Sequence, residues 1–161
     1  MINEIEELKI KLKKIIDKFL ENDIHLLKID SHESSLSFRI GLYLVEEFEN
    51  CDVDMEYNRK GTEKKKIDKD NELSLFRPDL IVHKRNNDDY NYIVIQIKKN
   101  TYELNGDEIN KDRNYLKKLT LNNGLYDYRF GILLFFYCKQ QSTTHPLIEY
   151  YENGLLIKQE D

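Results

Sequence analysis

The sequence predicts an α/β fold in which a central mixed β-sheet has helices on both faces. Helix-spaced and strand-spaced apolar residues alternate along the chain in the order α, α, β, loop, β, β, α, β and a final hairpin. The run "FGILLFFY" at 130–137 is nearly all apolar, which is typical of a strand buried on both faces. Neither an internal repeat nor a second domain is indicated, so we predict one domain over residues 1–161.

The composition of the chain is that of an acidic and highly charged globular protein. Its net charge of −5 argues against a dedicated nucleic-acid coat, because neutralising phosphates needs clustered Lys and Arg, although a local basic patch is compatible with it. Cys51 and Cys138 lack the spacing of a zinc site or a disulfide framework. No apolar run approaches the roughly 18 residues of a membrane span, and no cleavable leader is indicated, so we expect a cytoplasmic protein.

Two helices are predicted at the start of the chain. Residues 2–22 carry apolar side chains at helical spacing, and the polar "END" at 21–23 is expected to end this helix. Its apolar stripe is expected to pack on its own domain. Because the spacing also suits a short coiled-coil seam, a homodimer through this helix is the alternative. The second helix is predicted from about residue 31 to 48, with Asp30 as its N-cap and Glu33 completing a capping box.

A strand and a loop follow these helices. "CDVDMEYN" at 51–58 alternates apolar and polar residues, which is typical of a half-buried strand. Residues 59–74 are polar and without period, so they are predicted to form a long loop that is either functional or mobile. Strands are expected at 80–83 and 92–98, around a polar turn at "NNDDYN".

The last part of the chain contains a helix, a buried strand and a hairpin. The helix is predicted over 107–121, and "NNG" at 122–124 is expected to stop it. The buried strand is the apolar run described above. The tail is predicted to form an edge hairpin over 145–158, because Asn153-Gly154 is a strong signal for a tight turn.

Three polar residues at the ends of the two central strands form the candidate site. Strand alternation places Gln96 and Lys98 on the opposite face from the isoleucines at 93, 95 and 97, and places Asp79 on the face of Ile81. If the strands are neighbours, Asp79, Gln96 and Lys98 converge at one end of the sheet. Buried charges there are costly unless they are paired or metal-bound, so the alternatives are a structural ion pair and a metal site.

A wider pattern accompanies these residues over about 31–137. Its segments, in order, are "SHESSLSFRIGLYLVEEF", "DVDMEYNRKG", "RPDLIVHKR", "YIVIQIKK", "YLKKLT" and "YRFGILLFF". Together they resemble the PD-(D/E)xK nuclease superfamily, and within it a group of small prokaryotic proteins. The resemblance implies a restriction-endonuclease-like core and a nuclease-like protein, a Mg²⁺- or Mn²⁺-dependent phosphodiesterase that acts as an endonuclease on DNA.

The resemblance also implies roles for individual residues. Asp79 corresponds to the first metal ligand, and the backbone carbonyl of Ile97 to another. Glu33, which is also the capping-box candidate, corresponds to the carboxylate on the preceding helix. Lys98 corresponds to the residue that orients the attacking water, and such sites act by generating hydroxide and by stabilising developing oxyanions.

Gln96 stands where the superfamily carries its second acid, so it is the departure from the pattern. A Gln oxygen can ligate a hard cation but brings no charge, which we expect to weaken metal binding by about one to three orders of magnitude. Mg²⁺ commonly uses one or two carboxylates, so Glu33 and Asp79 are sufficient in number, and Glu56 is a further candidate ligand. The alternative function is a catalytically inactive nuclease-fold module that binds nucleic acid or a protein partner.

Several basic and polar residues are candidates for contacting nucleic acid. "EYNR" lies where a predicted strand meets the long loop, and it is expected either to grip phosphate or to cap the sheet. Basic residues on the third helix predict either a phosphate-facing patch or an ordinary solvated face. The residues predicted to contact nucleic acid are Tyr57, Asn58, Arg59, Lys99 and Lys117, and the helical patch consists of Lys111, Arg113, Lys117 and Lys118.

Overall fold

The computed structural model describes residues 3–56, 59–60, 63–64, 66–69, 72–75, 77–101, 103–139 and 145–160. Within these residues the helices are α1 (Glu4–Lys28), α2 (Glu33–Glu47) and α3 (Asp107–Leu119). The strands are β1 (Asp52–Met55), β2 (Arg59–Lys60), β3 (Glu63–Lys64), β4 (Lys66–Lys69), β5 (Glu72–Leu75), β6 (Leu80–Lys84), β7 (Asn87–Lys99), β8 (Phe130–Phe136), β9 (Leu147–Glu152) and β10 (Leu155–Glu160).

Six of these strands form one mixed sheet in the order β1-β6-β7-β8-β9-β10. Neighbours in this order pair antiparallel, except that β7 and β8 run parallel. A parallel pair needs a crossover connection, and α3 supplies it. The predicted α/β class with a central mixed sheet is therefore confirmed.

The helices cover both faces of the sheet and enclose two hydrophobic cores. The side chains of β7 alternate between these cores, since Ile93, Ile95 and Ile97 join the first and Val94 joins the second. The first core also contains Leu8, Leu12, Ile15, Ile16 and Phe19 of α1 and Leu36, Ile40 and Leu44 of α2. The second core contains Ile109, Leu116 and Leu119 of α3. Every residue of β8 is buried, as its continuous apolar pattern predicts.

Helix α1 extends six residues beyond the predicted end at residue 22. Its apolar stripe packs on the sheet of the same chain, which confirms that part of the prediction. The polar "END" does not stop the helix, because Asp23 is used in a tertiary contact. Its carboxylate accepts hydrogen bonds from Arg39 Nε at 2.8 Å and from the hydroxyl of Tyr43 on α2. The next turn then buries Leu27 completely, and this contact favours continuing the helix over local stop signals.

Helix α2 begins at Glu33, and the predicted capping box is wrong. The N-cap is His32, whose ring Nδ1 accepts from the backbone N–H of Ser34 at 3.4 Å. Asp30 has a φ of 53°, whereas an N-cap residue needs the extended region. Its carboxylate instead accepts a hydrogen bond from Lys99 Nζ at 2.9 Å. A long-range ion pair has thus replaced the local cap.

The segment predicted as a long loop at 59–74 contains short paired strands. β2 pairs with β3 and β4 pairs with β5, both antiparallel. The sequence of β4 and β5 is "KIDK" and "ELSL", which carries a weak period of two that the surrounding charges obscure. The prediction of a structureless loop is therefore wrong for the described residues of this segment.

The turn between β6 and β7 is shorter than predicted, because β7 already begins at Asn87. The two strands pair regularly from Leu80↔Ile95 to Val82↔Ile93, and the register then shifts on either side of His83. These irregularities let the polar stretch after the turn join the ladder, so most of "NNDDYN" is strand.

The C-terminal hairpin is confirmed, with β9 and β10 joined by Asn153-Gly154. Both turn residues have positive φ, 49° and 75°, as a tight two-residue turn between strands requires. β9 lies inside the sheet beside β8, and β10 forms its edge. Among the described residues, no helix is both long and apolar enough to cross a membrane.

Candidate active site

The ammonium group of Lys98 lies between carboxylates that come from two different helices. Lys98 is the second-last residue of β7, and its side chain is 18% exposed. Its Nζ lies 3.7 Å from Glu33 Oε2 at the start of α2 and 3.4 Å from Asp112 Oδ2 on α3. We call Glu33, Asp79, Lys98 and Asp112 the Lys98 cluster.

Asp79 joins this cluster through the backbone of β7. It lies just before β6, and its Oδ2 accepts a hydrogen bond from the backbone N–H of Ile97 at 2.7 Å. Its own carbonyl accepts from the N–H of Glu56 at 3.2 Å, so β1 also holds it. The structure thus brings Asp79 to Ile97, which lies between Gln96 and Lys98 in β7, and brings Glu33 to Lys98.

The proline before Asp79 affects the hydrogen bonding of the strand end. The pairing of β6 with β7 begins at Leu80↔Ile95, so Pro78 and Asp79 precede the paired residues. The N–H and carbonyl of one strand residue point to the same side, so the Ile97 carbonyl faces the side of Asp79. Pro78 has no N–H to donate, and the carbonyl therefore receives no ladder bond from it.

Like charges and burial shape the electrostatics of the cluster. Burial raises the pKa of Asp79 to about 6, although the Ile97 hydrogen bond and the charge of Lys98 act to lower it. Burial also raises the pKa of Asp112, with Glu33 adding to the rise and Lys98 opposing it. Three carboxylates thus share one ammonium group within the cluster.

Two carboxylate oxygens of the cluster are buried without a hydrogen-bond partner. They are Glu33 Oε1 and Asp112 Oδ2. The latter lies at ion-pair distance from Lys98 Nζ and so faces its positive charge. A buried unsatisfied acceptor costs about 1–3 kcal/mol, and more when it is charged. This cost falls on Glu33 Oε1, because the charge of Lys98 compensates Asp112 Oδ2.

Gln96 lies two residues before Lys98 and on the same face of β7. Its side chain is buried, with 4% exposure, and it pairs with Leu133 across the parallel ladder. A neutral, buried amide thus lies two residues before Lys98 on the same strand. It adds polar atoms next to the cluster without adding charge.

Asp112 is a cluster residue that the sequence analysis did not single out. The prediction for α3 concerned its basic residues and did not include this acid. The available signal was periodicity: Asp112 lies three residues after Ile109 and four before Leu116, both fully buried. A charged residue in register with the apolar face of a helix is an inward-facing charge.

The remaining metal-ligand candidate, Glu56, lies beyond the end of β1 with its side chain 62% exposed. Its nearest described charged partner is Arg77, at 4.0 Å. The backbone hydrogen bond to Asp79 keeps Glu56 beside the cluster, while the side chain extends toward solvent. A role as ligand stays a prediction.

Lys99 faces away from the cluster and is engaged within the fold. Its Nζ donates to Asp30 Oδ1 at 2.9 Å and to the Ser31 carbonyl at 2.8 Å. These atoms belong to the turn directly before Glu33. The lysine predicted to contact nucleic acid therefore holds the start of α2, and consecutive lysines of β7 secure the same helix from two sides.

The other predicted nucleic-acid contacts divide between exposed and engaged residues. Lys117 is exposed on α3. Arg113 is not free for phosphate, because it donates to both oxygens of the buried Glu149, and Lys111 pairs with Glu108. Tyr57 and Asn58 lie outside the described residues, as does the side chain of Arg59 in β2.

The fit of a divalent metal rests on donor chemistry. Within the described residues, no group of three or more His, Cys, Asp or Glu side chains is close enough to hold an ion. The Lys98 ammonium lies against two of the carboxylates instead. Carboxylate and backbone carbonyl oxygens are nevertheless the ligands that Mg²⁺ and Mn²⁺ prefer, and Mg²⁺ commonly binds through only one or two carboxylates. The donor types present thus suit such an ion, although the described side chains form no group of three.

Comparison of this chain with protein-family models finds no match, and comparisons with curated proteins and with solved structures find none either.

Proposed function

We propose that this chain is a nuclease of the PD-(D/E)xK type, a Mg²⁺- or Mn²⁺-dependent phosphodiesterase acting on DNA with a restriction-endonuclease-like core. The observation that carries the proposal is the meeting of Glu33, Asp79 and Lys98 at one end of the sheet. These residues come from a helix, a strand start and a strand end. A purely structural ion pair needs one carboxylate for one lysine. The additional carboxylates around Lys98 therefore support a functional role.

The sign of the charge explains why a metal ion is part of the proposal. A phosphodiester is an anion, and a pocket with more carboxylates than ammonium groups repels it. Glu33, Asp79 and the Ile97 carbonyl would hold the divalent ion. When bound, the ion would supply the positive charge that attracts the phosphate and activates water.

The protein's own residues would position the reacting groups and donate hydrogen bonds to them. Lys98 carries three N–H donors, and Glu33 and Asp112 hold its ammonium at the strand end. From there it can donate to an attacking water or to a non-bridging phosphate oxygen as negative charge develops. The Ile97 N–H fixes the carboxylate of Asp79, so this group needs no reorientation on binding.

A second function is favoured by Gln96. The neutral, buried amide at the acid position is what a catalytically inactive nuclease-fold module would show. Such a module would bind nucleic acid or a protein partner through the same scaffold. Fold alone does not separate the two functions, and the site must be tested.

The test combines metal binding with cleavage. Calorimetric titration with Mn²⁺ and Mg²⁺ and cleavage of single- and double-stranded DNA are measured on the native protein, Asp79→Ala and Lys98→Met. Asp17→Ala is the matched control, because Asp17 is an exposed acid on α1 that pairs with Lys13. We expect Asp79→Ala to lose both metal binding and cleavage, and Lys98→Met to lose cleavage while still binding metal.

Two results would contradict the proposed nuclease. Cleavage that persists in Asp79→Ala would show that the activity does not arise at this site. A native protein that binds neither ion at millimolar concentration, while Gln96→Glu does, would support the inactive module instead.

A further inference from the structure

Helix α2 carries apolar side chains on its outer face as well as on its inner face. Leu36 and Ile40 are fully buried in the first core. Phe38, Leu42 and Val45 lie on the other side of the helix, where they are 54%, 40% and 52% exposed. Their spacing of four and then three residues makes them neighbours along one side of the helix. We call these three residues the outer α2 stripe.

An apolar outer face is unusual for a surface helix. Single exposed apolar residues are ordinary, but the solvent face of a helix is normally polar, and a helix that is apolar on all sides is normally buried. From Ser34 to Val45, the only charged residue of α2 is Arg39. Helix α1 has the ordinary arrangement, since its apolar stripe lies in the first core while Lys13 and Asp17 pair on its exposed side. The outer α2 stripe is therefore a surface suited to a partner.

Opposite charges border the two ends of this stripe. Arg39 and Glu46 are seven residues apart, so about two helical turns separate them and they lie on the same side of α2. Each is paired with α1, because Arg39 Nε donates to Asp23 Oδ1 at 2.8 Å and Lys18 Nζ donates to Glu46 Oε2. The border is therefore positive on α2 at one end and negative at the other, and the order of charge is reversed on α1. A surface with this order is complementary to a copy of itself turned end to end.

We propose that the outer α2 stripe binds the same stripe of a second copy of this chain, with the two helices antiparallel about a two-fold axis near Leu42. This arrangement packs Leu42 against Leu42 of the second copy, and Phe38 against its Val45, so that the larger side chain meets the smaller one. It also brings Arg39 to Glu46 of the second copy. A two-fold contact uses one patch on both chains, and this patch matches itself in size and in charge. The inference is independent of the proposed function, because none of these residues belongs to the Lys98 cluster.

The same observations favour α2 over α1 as the dimer helix. The sequence left open a homodimer through α1, whose apolar spacing also suits a coiled-coil seam. In the structure α1 uses that stripe in the first core, where Leu8, Leu12 and Phe19 are fully buried. Ile10 is an exposed apolar side chain of α1, but it lies between polar neighbours in the sequence. The stripe that remains available to a second copy is the one on α2.

The first measurement is sedimentation equilibrium of the native protein, Leu42→Glu and Ile10→Glu from micromolar to millimolar concentration. Ile10→Glu is the matched control, because it changes an exposed aliphatic side chain of α1 in the same way and tests dimerisation through that helix. Glu is a good helix former, so both substitutions suit an exposed helical position. Circular dichroism and thermal unfolding check that each variant is folded.

We expect the native protein to form a dimer with a Kd in the micromolar range, because a single helix face gives an interface at the small end of stable contacts. Leu42→Glu should weaken this dimer at least about 100-fold, because it places two like charges at the two-fold axis and removes two apolar contacts. Ile10→Glu should change the Kd by less than about threefold, because a charge outside the contact is screened.

Cysteine crosslinking tests the direction of the two helices. The variants are made in a Cys51→Ser background, because Cys51 is a partly exposed free thiol. Leu42→Cys alone, and an equal mixture of Phe38→Cys with Val45→Cys, should form disulfide-linked dimers on air oxidation. Phe38→Cys alone should not, because the antiparallel arrangement separates its two copies by about 12 Å along the helix axis, which is too far for a disulfide.

Each other outcome overturns the inference. A native protein that stays monomeric at millimolar concentration has no such interface. A dimer that survives Leu42→Glu, or that Ile10→Glu dissociates, is formed by a different surface. A disulfide between two Phe38→Cys chains shows parallel helices, and if Leu42→Glu does not fold, the crosslinks decide alone. None of these results bears on metal binding or cleavage, so the proposed function stands or fails separately.

Discussion

Replacing the acid at position 79 should make the metal-free protein more stable. Asp79 is held in a site where burial outweighs the Ile97 hydrogen bond and the charge of Lys98. In Asp79→Asn the side-chain oxygen can still accept from the Ile97 N–H, while the charge is gone. The substitution therefore isolates the cost of ionising this one group inside the fold.

The size of the effect follows from the pKa. A folded pKa of about 6 against an ordinary value of 3.8 means that ionisation costs the folded state about 3 kcal/mol relative to the unfolded chain. Because the folded pKa is raised, the native protein is free of this cost below about pH 4, and its stability falls as pH rises through 6 and Asp79 ionises. Asp79→Asn should thus gain about 1–3 kcal/mol at pH 8, since burying the amide NH₂ offsets part of the gain.

The assay is urea unfolding in EDTA at pH 4 and pH 8, with Asp17→Asn as the exposed control. At pH 8 we expect a higher midpoint for Asp79→Asn, and at pH 4 the difference from the native protein should shrink to near zero. Under the proposed function, adding Mn²⁺ should stabilise the native protein and leave Asp79→Asn unchanged, because the substitution removes a metal ligand. This electrostatic account is refuted if Asp79→Asn is less stable than the native protein at pH 8. It is also refuted if Asp79→Asn is stabilised by the same amount at pH 4 and pH 8.

Two further predictions concern residues that support the site. Lys99→Met should lower the thermal midpoint and weaken Mn²⁺ binding several-fold, because Lys99 holds the turn before Glu33. The loss of a nearby positive charge would by itself strengthen Mn²⁺ binding. An unchanged affinity in calorimetry would show that the α1–α2 turn needs no such anchor. Lys139→Met is the matched control, because it pairs with the same turn but is 69% exposed. Glu149→Gln should cost about 2–4 kcal/mol in urea unfolding, because it leaves the Arg113 charge without its buried partner. Glu152→Gln breaks the more exposed pair with Arg129 and should cost less than about 1 kcal/mol. If Glu149→Gln and Glu152→Gln lose the same free energy of unfolding, burial of the pair does not decide the cost.

The sheet could be predicted from the sequence because its signals are local and strong. The apolar run that became β8 has one stable placement, inside the sheet, and Asn153-Gly154 determines a tight turn by backbone conformation alone. Alternation along 92–98 correctly put Lys98 on the face opposite the isoleucines. The meeting of Asp79 with β7 followed from these faces once the strands were neighbours.

The errors arose where a distant contact outweighed a local preference. Asp30 has the chemistry of an N-cap, but it has a positive φ and pairs with Lys99, and His32 caps α2 instead. Asp23 looked like a stop signal and is instead a partner for Arg39 and Tyr43. Neither pairing is visible in sequence spacing, because each joins positions that only the fold brings together.

Asp112 was missed for a different reason. Its neighbours on α3 are basic, and the helix reads as a charged surface unless each charge is assigned to a face. Ile109 and Leu116 mark the buried side of α3, and Asp112 lies on the same side. Inward-facing charges on otherwise amphipathic helices are therefore worth locating before charge clusters are interpreted.

The irregular ladder between β6 and β7 divides this hairpin into two parts with different tolerance for changes in length. The register shifts lie beside His83, toward the turn, while the pairs near Leu80 and Ile95 stay regular. An insertion or deletion at the turn can be absorbed by another bulge without moving the far end. A single residue added between Ile95 and Lys98 would rotate both terminal lysines to the opposite face, exchanging their partners. Variants of this chain that keep the site are thus expected to differ in length at the turn between β6 and β7. They should keep the spacing between Ile95 and Lys98.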